Sequence, residues 1–104
     1  MIRKISKLII LSTSTLLLLY SSFVFAAGDV NAGKVKSSTC SFCHGPDGKG
    51  MGKNPAIAGL DKNLFTSHIL DFKTGKRKNS MMENMAKKLS DQDVEDLAAF
   101  YSSL

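Results

Sequence analysis

The sequence predicts an all-α domain of three main helices and a short one, on three observations. Apolar residues recur at helical spacing, polar caps and a closing glycine bracket the periodic segments, and no stretch alternates cleanly enough to be a strand.

The first segment stands apart from that domain. Arg3, Lys4 and Lys7 precede an uncharged apolar run, "LIILSTSTLLLLYSSFVFA", with small residues at Val24 and Ala26. A basic start, an apolar middle and small residues before the cut site describe a secretory signal. Residues 1–26 are therefore expected to be cleaved after Ala26, leaving 27–104 as a single domain. An uncleaved membrane anchor is the competing reading, because about 20 apolar residues span a bilayer. The six Ser or Thr residues of the run weigh against it.

The charge balance narrows the function. The whole chain of 104 residues has a formal charge of +5, but three of its 14 Lys and Arg residues lie in the signal segment. The remaining 78 residues carry 11 basic against 9 acidic side chains, a net of +2. A nucleic-acid binder would show a strong basic stripe, so none is expected as a partner. A domain this small buries little of its own surface and commonly needs a staple or cofactor.

The helices follow in order. "DVNAGKVKSSTCSFC" offers Asp29 as a cap, with Val30, Ala32, Gly33 and Val35 on one side. "DKNLFTSHILDFKTG" offers Asp61 as N-cap, Leu64, Phe65, Ile69 and Phe72 at helical spacing, and Gly75 as the closing glycine. Met82, Met85, Ala86 and Leu89 mark the short helix. In the last one Ser90 and Asp93 form an acidic capping box, followed by the stripe Val94, Leu97, Ala98 and Tyr101. Between the first two lies "HGPDGKGMGKNPAIAGL", a loop by its glycines and prolines, and long enough to wrap something.

Residues 40–44, "CSFCH", hold both cysteines and one of the two histidines. Zinc needs about four N or S donors in a tetrahedron, and the chain offers only Cys40, Cys43, His44 and His68. A redox dithiol wants a βαβ setting, which is lacking. A disulfide across so short a loop would stabilise little. Covalent haem fits best: cysteines at i and i+3 share one face of a helical turn, and the next residue turns an imidazole toward the iron. Cys40 and Cys43 are then the thioether anchors, His44 an axial ligand, and one haem c supplies the missing core.

The sixth position is open to water, to His68, or to a methionine. Met51 sits too near the anchor in its glycine loop. Met81, Met82 and Met85 each qualify by position, although methionines at helical spacing also serve as core filler.

The segments "GDVNAGK", "CSFCHGPDGKG", "NPAIAGL", "LDFKTGKRKN" and "MMENMAKKLSDQDVEDLAAFYSSL" together resemble class I c-type cytochromes of the short bacterial kind, over residues 28–104. That resemblance implies a small cytochrome c fold wrapped around haem. Counting eight residues back from the last helix cap, it also implies Met82 as the second axial ligand. It further implies that the Pro55 carbonyl orients His44. The family's further proline three residues later is Ala58 here, which leaves the loop expected to be looser.

Two filled axial sites imply electron carriage by a monomer in the periplasm, serving transient redox partners with acidic docking sites, and no catalysis. After cleavage no stable membrane insertion is expected. The alternatives are a haem protein with a labile sixth ligand that binds small gases or peroxide, and a structural domain with a Cys40–Cys43 disulfide. Lys49, Lys53, Lys62, Lys76, Arg77, Lys78, Lys87 and Lys88 would form the docking face, and Asp91, Asp93, Glu95 and Asp96 the opposite pole.

Overall fold

The structure, a computed structural model, describes residues 27–104. The expected signal segment and its cleavage after Ala26 therefore lie outside the described residues. Five helices follow one another: α1 (Val30–Lys36), α2 (Ser38–His44), α3 (Lys62–Thr74), α4 (Ser80–Lys87) and α5 (Asp91–Ser102). The all-α expectation holds. Within the described residues the one extended pairing is an isolated bridge between Met51 and Asn54.

The first predicted helix is two. Asp29 caps α1 by accepting from the amides of Asn31 and Ala32, but the chain breaks at Ser37, whose hydroxyl donates to the Lys34 carbonyl at 2.7 Å. A serine bonding back to its own helix competes with the ladder and bends it. Of the expected apolar side, Gly33 and Ala32 turn inward but the two valines do not. Val35 is 76% exposed and Val30 43%, whereas Gly33 is buried. The physical reason is closeness: at Gly33 the backbones of α1 and α5 meet, so a Cβ there would collide with the Asp96 carbonyl. Gly28 approaches the Glu95 carbonyl in the same way.

Polar groups lock this crossing. The Asp96 carboxylate, buried in α5, accepts from the Asp29 amide at 2.8 Å, from Lys36 Nζ at 2.6 Å and from Gln92 Nε2 at 3.0 Å. Lys36 also bonds Asp93 at 2.9 Å. The Asp29 amide first, then Lys36 and Gln92, holds the Asp96 carboxyl down to about 2. A depressed carboxyl contributes stability above its unfolded value and loses it as pH falls through the folded one. The contribution is thus intact above pH 4 and lost between about pH 4 and about pH 2. Asp96→Asn is expected to melt below the wild type at neutral pH, with the gap closing across that window. A gap that stays constant down to pH 2 would remove Asp96 from this role.

The remaining elements match their sequence signals. Asp61 caps α3 through Asn63 and Leu64, and Gly75 ends it at φ 75°. Phe65, Ile69 and Phe72 are buried, while Leu64 is turned outward. Ser90 and Asp93 form the capping box of α5, and Val94, Leu97, Ala98 and Tyr101 are all buried. Tyr101 stacks on Phe65 at 5.6 Å and meets Phe100 edge-on at 5.0 Å. Helix α5 thus packs on α1 and on α3, and α4 packs on α3. Among the described residues no helix is long and apolar enough to cross a membrane.

Candidate haem-binding site

A cavity of about 520 Å³ opens between α2 and α4, walled by α3. Among the described residues no packing contact joins α2 to α4, so the space between them is the cavity itself. Its volume falls in the range of ~300–1,000 Å³ that encloses large organic ligands.

One end is built by α2. Cys40 and Cys43 stand half-buried on the cavity wall, and His44 is 8% exposed. The loop after α2 returns to hold this end. Gly50 donates to the His44 carbonyl at 2.8 Å and Asn54 Nδ2 to the Cys43 carbonyl at 2.9 Å, so α2's last carbonyls are satisfied. Gly48, at φ 68°, lies so close to the Tyr101 ring that a Cβ would come within 2.6 Å of it. Its carbonyl accepts from both Ile57 and Ala58, at 2.7 and 2.9 Å. The expected looseness at Ala58 is therefore absent, because its amide makes a bond that proline could not.

This loop sets Pro55 against His44, with Nδ1 at 2.7 Å from the Pro55 carbonyl oxygen. A carbonyl only accepts, so this contact requires the proton on Nδ1. The lone pair of a neutral ring then sits on Nε2, the nitrogen free to bind a metal.

The opposite end is built by α4. Asn79 caps it, its side chain accepting from the Met82 amide at 3.0 Å, while Glu83 accepts from the Asn79 amide at 3.2 Å. Met82 and Met85 are half-buried in the wall, and Met81 stands at the rim, 68% exposed. Met51 lies away from this wall, bridged to Asn54. Phe65, Ile69, Phe72, Ile57, Leu60 and Leu97 make the rest apolar, and Lys53, Arg77 and Lys78 edge it. Arg77 also lies over the Phe72 ring at 5.1 Å.

The donors suit haem better than the alternatives. Burial, the largest effect, pushes the Cys40 thiol up, whereas a redox dithiol needs a lowered one. Within the described residues no three His, Cys, Asp or Glu side chains gather as a metal cage, which disfavours zinc. Two thiols, one preset imidazole and thioethers across an apolar slot match a flat apolar macrocycle with a central iron. A second, more open cleft of about 370 Å³ between Lys62 and Glu95 contains none of these donors.

Three features escaped the sequence reading: the Asn79 cap on Met82, the Asn54 bond to Cys43, and the Lys36–Asp96 lock. The first had a visible signal, an asparagine three residues ahead of the methionine and followed by Glu83. The lock had none, because its members lie 60 residues apart. It also gives two of the four acids of the supposed negative pole a structural task.

Comparison with known proteins agrees. Residues 30–100 match the family described as cytochrome c oxidase, cbb3-type, subunit III. The chain is 42% identical over 81 residues to cytochrome c-554(548) of Halomonas halodenitrificans, covering 74% of this chain and 98% of that one. It is 40% identical over 79 residues to cytochrome c4 of Pseudomonas aeruginosa, covering 75% of this chain and 39% of that one. The solved cytochrome c4 of Acidithiobacillus ferrooxidans superposes with a TM-score of 0.70 at 32% identity, over 81% of this chain and 54% of that one. The chain thus spans about two-fifths of one cytochrome c4 and about half of the other. It belongs to the cbb3-type cytochrome c oxidase subunit III family and is a small class I c-type cytochrome of the c4-like kind, carrying covalently bound haem c.

Proposed function

We propose that this chain is an exported, periplasmic carrier of single electrons, attached to haem through Cys40 and Cys43 and ligating its iron with His44 and Met82. The observation that carries the reading is the pairing across one cavity of a histidine ring held by the Pro55 carbonyl and a methionine from the helix that Asn79 caps. Haem supplies the one-electron iron couple, and Met/His ligation raises its potential. The protein's part is to hold both ligands in place and to keep water out with Phe65, Ile69, Phe72 and Leu97. With His44 and Met82 both holding the iron no position would be left for a substrate, which favours carriage over catalysis.

Docking is assigned to the basic rim. Lys53, Arg77 and Lys78 edge the cavity, and Lys49, Lys76, Lys87 and Lys88 are exposed. The Lys76–Asp71 pair, at 4.0 Å and largely exposed, neutralises little of this charge. A partner with an acidic docking site is steered to such a face, in a small and transient encounter.

Visible spectra of the purified exported protein test the ligands. The ferric form is expected to show the weak sulfur-to-iron charge-transfer band, and the ferrous form not to bind carbon monoxide readily. Haem without that band would sink the methionine assignment. Electron transfer with an acidic partner is expected to slow as salt rises from ~0.01 M to ~0.15 M, where the screening length shrinks from ~30 to ~8 Å. A flat salt dependence would remove the basic rim from docking.

A further inference from the structure

His68 stands in the wall of the haem cavity, yet the site described so far gives it no task. It lies midway along α3, half-buried, between Phe65, Ile69 and Phe72, all of which also line the cavity. Helix α3 is the one on which α4 packs, so His68 and the methionines come from neighbouring helices. His44 comes instead from α2, which packs on α1. Three other polar side chains of the site are tied, His44 to Pro55, Asn54 to Cys43 and Asn79 to Met82, while Lys53, Arg77 and Lys78 stand at its edge. Among the described residues no such bond holds the His68 ring.

A ring in an apolar wall, without a fixing hydrogen bond and beside the methionine helix, is a nitrogen donor in reserve. Imidazole is a good iron ligand. We infer that His68 is a second sixth ligand, which binds the iron when Met82 leaves it. The inference rests on the His44/Met82 reading above. It gives the protein two ligation states, the second with imidazole on both faces. Because methionine is the ligand that raises the potential, the His44/His68 state is the more reducing one. Loss of the sulfur then lowers the potential without opening the iron to gases or peroxide.

The test uses the haem-loaded exported protein. Met82→Ala and Met82→Leu are both made, so that a packing failure in one leaves the other readable, and each is combined with His68→Phe. Ferric visible and electron paramagnetic resonance spectra are the readout. The Met82 variants are expected to lose the sulfur-to-iron band and remain low-spin, and His68→Phe is expected to turn them high-spin. A Met82 variant that is high-spin with His68 present overturns the inference. So does a low-spin spectrum that survives His68→Phe, which would assign the position to Met81, Met85 or a lysine. If the Met82 variants keep the wild-type band, the His44/Met82 reading has failed first, and the inference fails with it.

Discussion

Replacing Cys40 and Cys43 together by alanine is expected to give a chain without covalent haem that does not hold its fold. The cavity of about 520 Å³ is lined by Phe65, Ile69, Phe72, Met82 and Leu97, side chains that pack on the core with one face and turn the other to the haem space. At ~24 cal/mol per Å³ of unfilled space, emptying 520 Å³ costs on the order of 12 kcal/mol as an upper bound. That is comparable to the whole stability of a typical domain, about 5–15 kcal/mol. Collapse of α4 onto α2 would recover part of it, at the expense of the native arrangement. Intact mass should lack the haem increment, and far-ultraviolet circular dichroism should show most helix lost. A variant that keeps its helices and its cooperative melt would mean the apolar core suffices alone, and the haem would then be cargo rather than scaffold.

Gly33→Ala is expected to cost roughly 3 kcal/mol or more, at the upper end of overpacking substitutions. The added Cβ meets the Asp96 carbonyl and the Phe100 Cβ. The first of these is backbone, which cannot swing aside as a side-chain tip can. The helices must separate, and separation stretches the bonds from Asp29 and Lys36 to Asp96 at the same time. For a domain of this size each kcal/mol moves the melting temperature by ~4–8 °C, so a drop of ~12–24 °C follows. The absorption spectrum of the surviving folded protein should be unchanged, since Gly33 is remote from the ligands. A loss under about 1 kcal/mol, below the overpacking range, would show that α1 can move off α5 freely.

Much of this fold was legible because its signals are local. Asp61, Ser90 with Asp93, and Gly75 sit at the helix ends they announce, and the stripe from Val94 to Tyr101 is buried as its spacing requires. The proposed haem anchor was legible for the same reason, since Cys40, Cys43 and His44 share one short helix at the cavity wall. What stayed hidden depends on residues far apart in the chain. The α1–α5 crossing makes a glycine the buried residue of α1 and turns Val35 outward, against its hydrophobicity. Lys36 reads as one more surface charge, yet it bonds Asp93 and Asp96 across the helix pair. Ala58 reads as a missing proline, yet its amide bonds Gly48. The proposed axial methionine falls between these cases. Met82 came from resemblance, and Met82 and Met85 both stand half-buried in the same wall.

The way α4 is attached divides the molecule's robustness in two. Helix α5 is gripped from two sides, by α1 and α3, and by the Asp96 lock. Helix α4 has eight residues and leans on α3, with Lys73 holding the following turn through the Leu89 carbonyl at 2.5 Å. Segments with so few braces open at a smaller free energy than the domain as a whole. The methionine wall therefore behaves as a shutter on a rigid case. How readily the methionine wall opens is governed by the hold of α3 and Lys73 on α4, while how long the protein survives is governed by the α1–α5 crossing. Evolution or an engineer can thus retune the first without weakening the second.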